Sequence, residues 1–457
     1  MVSFAEARST AGAVPVLAAV SRPLEQAAGC VLAEPVRARL EVPHAATSAM
    51  DGWALAVPED RSPGPGPGGP LWRVRPGGAE GPADLLEPLA PGEAAGVVTG
   101  SPVPEGAVSV LRSEHAATSG EELRAAPETP DLEPGRNIRA AGVEARRGDL
   151  ILEAGRPLSA AGAAAAAVAG YDMLRLIPRP RVRLILTGGE VITSGLPGPG
   201  QVRDVFGLAL PAMLAEAGAE PAESFRIDDD PVAMEQLMTG LRTGTTGTAA
   251  GTGGPGEGPD LIITTGGTAA SRADTLRPAL DRLEAEILVS SVDMRPGHPA
   301  LLARLPEAVG GGTSGGAYVL GLPGNPLAGF AALTVLGVPL IAALAGRETP
   351  PSLWAPAAED IPPAGGGSRP GAVRLLPARL EEGRLFPMRH SRAHMMRGLA
   401  SAEVFAVIPA GGLSAGDRAE CLEVLGRSEG VRRAGQVRYP EQPHRPPQGS
   451  GTVERRA

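Results

Sequence analysis

Two apolar runs in this chain end alike: RLILTGGE at 183–190 and LIITTGGT at 261–268. Neither run alternates with polar residues, so neither suits a strand with one face in water. Continuous apolar β-runs are buried on both faces, which calls for a parallel sheet covered by helices. The surrounding text agrees. VRLILTGG, VFGLALPAMLAEAG, AESFRI, DDDPVAMEQLMTGL, DLIITTGG, ADTLRPALDRL, ILVSSVDM, YVLGLPGN and PLAGFAALTVLGVPLIAALA alternate β-run with helix. This pattern predicts a central, doubly wound parallel sheet over 179–346, the α/β part of a multidomain chain.

The flanks read differently. Residues 1–40 carry helical periodicity followed by the strand-like CVLAEPVRA, and helical text returns around GRPLSAAGAAAAAVAGYDML. Between them, 47–138 is a succession of short β-runs broken by Pro and Gly, with SPGPGPGGP as a surface loop. We therefore expect an elongated N-terminal domain from 1–46 and 139–178, with a β domain, 47–138, inserted in it. Beyond the linker that follows 346, VRLLPARL, RLFPMRH, EVFAVIPA and AECLEVL predict a small β-barrel or sandwich over 347–430. The Gly/Thr-rich tract at 242–260 and the tail 431–457 lack apolar periodicity and are expected to be disordered.

The totals bound the function. The 457 residues suit about three domains. Aromatic residues make up only 3%, so the cores must be built from Ala, Val, Leu and Ile. All 42 basic residues are arginine, and 51 acids leave a net charge of −9. That balance argues against broad affinity for nucleic acid or a membrane surface, while small anions remain open to local donors. Cys30 and Cys421 are far apart and in no metal spacing, which excludes a disulfide scaffold and suits a reducing compartment. With no signal-like N-terminus and with AAGAAAAAVAG at 160–170 too short to span a bilayer, a cytoplasmic location is expected.

Chemistry concentrates in a few stretches. In a doubly wound sheet, ligands lie beyond the carboxyl ends of the strands, where both TGG turns fall. Glycine lets the backbone approach an oxyanion, and a following helix N-terminus adds N–H donors. A plain strand-to-helix turn would explain one TGG equally well. A third loop, GLPGNPLAG at 321–329, fixes a rigid turn at Pro323, Gly324, Asn325 and Pro326, with Pro326 able to begin a helix.

Acids stand beside these loops: Glu190 follows the first TGG, Asp274 follows the second, and Asp51 sits in the turn SAMDGW. Carboxylates next to phosphate-binding backbone suit Mg²⁺, which takes one or two protein carboxylates and completes its shell with phosphate and water. Alternatively Asp51 is an Asx-turn residue and Asp274 a helix cap. Asp230, before Pro231, reads as an N-cap alone. MRPGHP at 294–299 offers Arg295 and His298 as an anion clamp. His390 and His394 have no clear carboxylate partner and do not make a zinc site.

Taken in order, SAMDGWAL at 48–55, VVTGSPVPEGAVSVLRSE at 97–114, GRNIRAAGVEARRGDLIL at 135–152, LTGGE, ITTGG, MRPGHP and LPGNPLA resemble the molybdopterin molybdenumtransferases. This is the MoeA type, whose eukaryotic counterpart is the gephyrin E domain. The resemblance spans roughly residues 1 to 425 and implies a dimer. It implies insertion of molybdate into the dithiolene of adenylylated molybdopterin, with Mg²⁺ required and AMP released. It also implies a separate molybdopterin adenylyltransferase as partner, since this chain shows no adenylylating domain. On matching positions, the catalytic residues would be Asp51, Glu190, Asp274, Thr99 and Glu144, with Asp51, Glu190 and Asp274 holding the metal. Substrate would contact Thr187, Gly188, Gly189, Asp204, Thr265, Gly266, Gly267, Arg295, His298, Pro323, Gly324, Asn325 and Pro326.

The chain departs from the family at several points. Gly189 stands where the family usually has Asp, and Val143-Glu144 replace its Glu-Asp. Ala269, Ser271 and Arg272 alter the loop after the second TGG, and Arg295 and His298 replace two lysines. A diverged paralogue that binds a pterin or nucleotide as carrier or regulator is the alternative.

Overall fold

In the computed structural model, residues 1–57, 70–76, 87–220, 223–243, 258–268, 275–307, 316–363 and 371–426 are described here. The expected surface loop within 62–70, most of the 242–260 tract, Asp274 with the altered loop before it, and the 431–457 tail lie outside them. The chain divides into two compact units, Ala19–Leu176 and a second made of Met1–Ala18 with Ile177–Ala457.

The second unit is built on a six-stranded sheet in the order Glu223–Ile227, Val182–Thr187, Leu261–Thr265, Tyr318–Leu322, Leu301–Arg304, Glu286–Val289. Its apolar runs are strands buried on both faces. Val182, Leu184 and Leu186 enter one core cluster while Ile185 enters the other, and Ile262 and Val319 likewise point away from Ile263 and Leu320. Period-two geometry delivers alternate side chains to opposite layers, so both faces must be apolar.

The expected parallel sheet is found in part, and the rest needs correction. Only the first four strands are parallel; Leu301–Arg304 is antiparallel to Tyr318–Leu322, and Glu286–Val289 is antiparallel to Leu301–Arg304. No helix lies between Glu286–Val289 and Leu301–Arg304. Parallel neighbours need a long crossover, usually helical, whereas a short connection can only fold the chain back antiparallel. The strand Leu301–Arg304 was not foreseen from the sequence.

Helices cover the sheet. Phe206–Ala217 ends at Gly218, whose φ of 103° is the left-handed cap that glycine adopts freely. Pro326–Leu344 is a continuous apolar helix of 19 residues with mean hydropathy 2.3, longer than the 160–170 run. It passes the length and composition test for a membrane span, yet 94% of that window is buried in the protein, which accounts for its apolarity.

The sequence grouped 1–46 with 139–178. In the structure the helix Phe4–Gly12, capped by the Ser3 hydroxyl accepting from Glu6 N, packs against Val338–Leu344 in the second unit. In the first unit, Val20–Pro23 lies antiparallel to Met173–Ile177. The first unit also holds a six-stranded sheet in the order Ala107–Arg112, Gly52–Ala56, Glu93–Val97, Leu71–Val74, Glu122–Ala125, Ala116–Ser119. The C-terminal strands form another sheet, ordered Met294–Arg295, Val373–Glu381, Val404–Pro409, Arg418–Glu423, Leu353–Pro356, with Arg384–Pro387 also on Val373–Glu381. Its last strand is continued by a single bridge from Ala357 to Leu385.

Candidate functional site

Three neighbouring parallel strands, Val182–Thr187, Leu261–Thr265 and Tyr318–Leu322, end side by side and carry the two TGG turns and the LPGNP loop. Their ends are tied together. Thr187 Oγ1 donates to the Thr265 carbonyl at 2.7 Å, and Gly266 N donates to the Leu322 carbonyl at 3.0 Å. Gly266 has no room for a side chain: a Cβ there would stand 2.7 Å from Thr187 Oγ1, at a φ of 81°. A Cβ on Gly324 would meet Gly266 Cα at 3.4 Å. Thr187, Thr265, Gly266 and Gly324 therefore lie together where the three strands end.

The two turns are not equivalent. After the first, the chain makes the small parallel pair Val191–Ile192 and Val202–Arg203 before the helix Phe206–Ala217 starts. The first TGG thus has no helix N-terminus directly behind it. The LPGNP loop does: Asn325 is the N-cap of Pro326–Ala332, with Pro326 in the first helical turn.

Acids border the first turn. A Cβ on Gly188 would stand 3.0 Å from Glu190 Oε2, so the Glu190 side chain curls back over that glycine. Asp228, which the sequence reading did not single out, lies 3.8 Å from where a Gly189 Cβ would be. The signal was present in DDD directly after the strand Glu223–Ile227. Asp230 caps the next helix as expected, accepting from Val232 N at 2.9 Å. Asp204 is engaged: it accepts from Gly207 N at 2.9 Å and is paired with Arg226.

The MRPGHP turn abuts this region. A Cβ on Gly297 would lie 3.3 Å from the Ala328 carbonyl, on the helix that follows LPGNP. Arg295 is exposed, while His298 uses Nδ1–H to donate to the Val292 carbonyl at 2.8 Å. The basic stretch set aside in the sequence also reaches this helix, since Ala328 N donates to the Ala393 carbonyl at 3.3 Å.

In the other unit, Asp51 follows the short strand Thr47–Ser48 and precedes Gly52–Ala56. Its Oδ1 accepts from Thr99 N at 2.6 Å and from Thr99 Oγ1 at 2.9 Å. These two donors, the backbone one first, hold the exposed Asp51 carboxyl below the usual carboxylate range, so it stays ionised. Gly52 is dictated by close approach: a Cβ would stand 1.9 Å from the Leu111 carbonyl. Glu144 is exposed, its backbone N bonded to the Val42 carbonyl. Both cysteines are buried, and burial pushes the Cys421 thiol up to about 12, so it is no nucleophile. Among the described residues no three His, Cys, Asp or Glu side chains meet as a ready-made metal cage.

Residues 2–170 match the model of the MoeA N-terminal region, domains I and II, and residues 183–343 match that of a probable molybdopterin binding domain. A molybdopterin molybdenumtransferase of Synechococcus elongatus is 30% identical over 394 residues, 85% of this chain and 90% of that protein. One from a Nostoc species is 32% identical over 331 residues, 70% of this chain and 67% of its own length. The crystal structure of a MoeA molybdopterin biosynthesis protein from Pyrococcus horikoshii shares the fold, with a TM-score of 0.65 at 22% identity, covering 93% of this chain and all of that one. The chain belongs to the molybdopterin molybdenumtransferase family, transferases that insert molybdenum during molybdenum cofactor biosynthesis.

Proposed function

We propose that the substrate of insertion is adenylylated molybdopterin, that molybdate is the metal donor, and that AMP is released in a Mg²⁺-dependent step. The observation that carries this reading is the meeting of Thr187, Gly188, Thr265, Gly266 and Gly324 at neighbouring strand ends, which we take as the ligand crevice, with the carboxylates of Glu190 and Asp228 beside the first turn. Glycine backbone at strand ends suits the oxyanions of a pyrophosphate-linked ligand. Two carboxylates beside the same backbone would repel a bare phosphate, and a hard divalent cation removes that conflict.

The donors fit such an ion. In the second unit Glu190 is exposed and bent back over Gly188; in the first, Asp51 is separately held ionised with one oxygen committed to Thr99. Mg²⁺ takes protein carboxylates and completes its shell with phosphate and water. By their match to the family's positions, and not by their placement here, Asp51, Glu190 and Asp274 are the residues we assign to it; when bound it would neutralise charge developing on the leaving phosphate. Thr99 fixes Asp51, and Glu144 adds a second carboxylate in the first unit. Thr187, Gly188, Gly189, Thr265, Gly266, Gly267 and Pro323 to Pro326 would line the ligand, with Arg295 and His298 at its anionic end.

The same reading makes the chain a cytoplasmic homodimer supplied by a separate molybdopterin adenylyltransferase. It takes the C-terminal sheet as a small barrel, its edges brought together at Ala357 and Leu385. A single-turnover assay with adenylylated molybdopterin, molybdate and Mg²⁺ tests the chemistry. Molybdate-dependent AMP release supports it; insertion that proceeds equally from molybdopterin without the adenylyl group overturns it. Light scattering at working concentration tests the dimer, and a monomer mass removes it.

A further inference from the structure

The first unit buries one carboxylate that the proposed chemistry does not use. Asp131 is fully buried, yet four donors surround it. Arg112 gives its backbone N at 3.1 Å and Nε at 3.0 Å, Asn137 gives Nδ2 at 3.0 Å, and His115 gives Nδ1 at 2.8 Å. So many donors on one carboxylate are more than the local chain needs for a turn; they make Asp131 a junction.

What the junction holds is the Asp51 turn. Arg112 is the register partner of Gly52, and the next residue, Ser113, donates its N–H to the Asp51 carbonyl at 3.1 Å. From the other side, Ala49 N donates to the Asn137 carbonyl at 2.8 Å. Asn137 presents that carbonyl from a left-handed backbone, φ 60°, a conformation that costs an ordinary residue energy and that asparagine tolerates. Its side chain is meanwhile pinned at both ends of the amide nitrogen, to Asp131 and to the Val110 carbonyl at 2.8 Å. Both backbone clamps on the 49–51 turn therefore lead, through Arg112 and Asn137, to the same buried carboxylate.

We propose that Asp131 is a positioning residue for Asp51, setting the orientation of that carboxylate through Arg112 and Asn137. The proposal rests on Asp51 acting in the reaction. It also explains why a group with no access to substrate is kept as a buried anion where an apolar residue would pack without desolvation cost.

A double-mutant cycle on the full chain tests it, with molybdenum insertion in single turnover as the readout and the thermal midpoint measured for every variant. Asp131→Asn is expected to lower the rate about tenfold at unchanged KM for molybdate, because a slackened turn misplaces Asp51 without removing it. In an Asp51→Asn background the same change is expected to cost nothing further. Asn137→Gly, which keeps the left-handed backbone and removes only the amide link, is the second variant in case Asp131→Asn does not fold. It is expected to lower the rate about threefold, and again only when Asp51 is present. Effects of Asp131 and Asp51 that simply multiply, or a lowered midpoint with an unchanged rate, would overturn the positioning role and leave Asp131 a stability residue. An Asp51→Asn protein with the full rate would remove Asp51 from the chemistry and the proposal with it.

Discussion

The Asp51 turn and the TGG crevice solve opposite problems. In the first unit an acid and its turn are held by several hydrogen bonds: Thr99 donates to its carboxylate, Ser113 N donates to its carbonyl, and Ala49 N donates to the Asn137 carbonyl. In the second unit the loops are held by strand ends and glycine backbone, and the acids Glu190 and Asp228 border the loop from exposed positions. A carboxylate whose orientation matters needs its own hydrogen-bond scaffold. A surface that accepts an oxyanion needs bare N–H groups and room, which side chains would fill.

The contrast makes the two regions break differently. The largest effect should come from Asp51→Asn, which keeps the shape of the turn and removes the charge. Turnover should fall by at least about 100-fold while ligand binding stays within about tenfold. Rate and affinity in parallel titrations check this, and an equal loss of both would mean that Asp51 serves binding. In the crevice the order should reverse. Gly266→Ala places a methyl 2.7 Å from Thr187 Oγ1 at a φ of 81°. It should weaken ligand binding about tenfold and destabilise the unit by about 1–3 kcal/mol, seen as a lower thermal midpoint.

The buried junction predicts an acid limb. Burial pushes the Asp131 carboxyl up, but the donors from Arg112, Asn137 and His115 win and hold it at about 2. With a folded-state pKa below the unfolded one, its stabilisation is fully present above about pH 4. It fades as pH falls toward about 2 and amounts to up to about 2 kcal/mol. Urea midpoints between those pH values should fall in the wild type and flatten in Asp131→Asn. A wild-type profile already flat would show that the donors do not favour the anion. The smallest effect should be at the crevice rim. His298→Lys puts an ammonium where the imidazole is tied to the Val292 carbonyl, and affinity for an anionic ligand should rise about threefold. No change in a calorimetric titration would take this loop out of the site.

The strand ends and glycine loops were legible in the chain itself because their signals are local. LTGGE, ITTGG and LPGNP combine an apolar run with a glycine turn, and a run buried on both faces has few places to go but a covered sheet. Asp230 before Pro231 spelled a helix cap, and a cap is what it is. Asp228 was missed because its meaning comes from the neighbouring strand Val182–Thr187, whose loop places Gly189 beside it. Asp131 was missed for the same reason: PETPDLEPG reads as a turn, and nothing in it announces Arg112 or Asn137 as partners.

By itself the sequence determined which strands of the central sheet are buried and where the glycine loops fall, since each depends on residues a few positions apart. Tertiary structure alone decided that the sheet turns antiparallel at Leu301–Arg304, because strand direction depends on the connection as well as on the run. It alone decided that Phe4–Gly12 packs on Val338–Leu344, and that one buried carboxylate holds both sides of the Asp51 turn. Those are pairings between distant residues, set by the packing and hydrogen-bond demands of the whole unit, and no local pattern carries them.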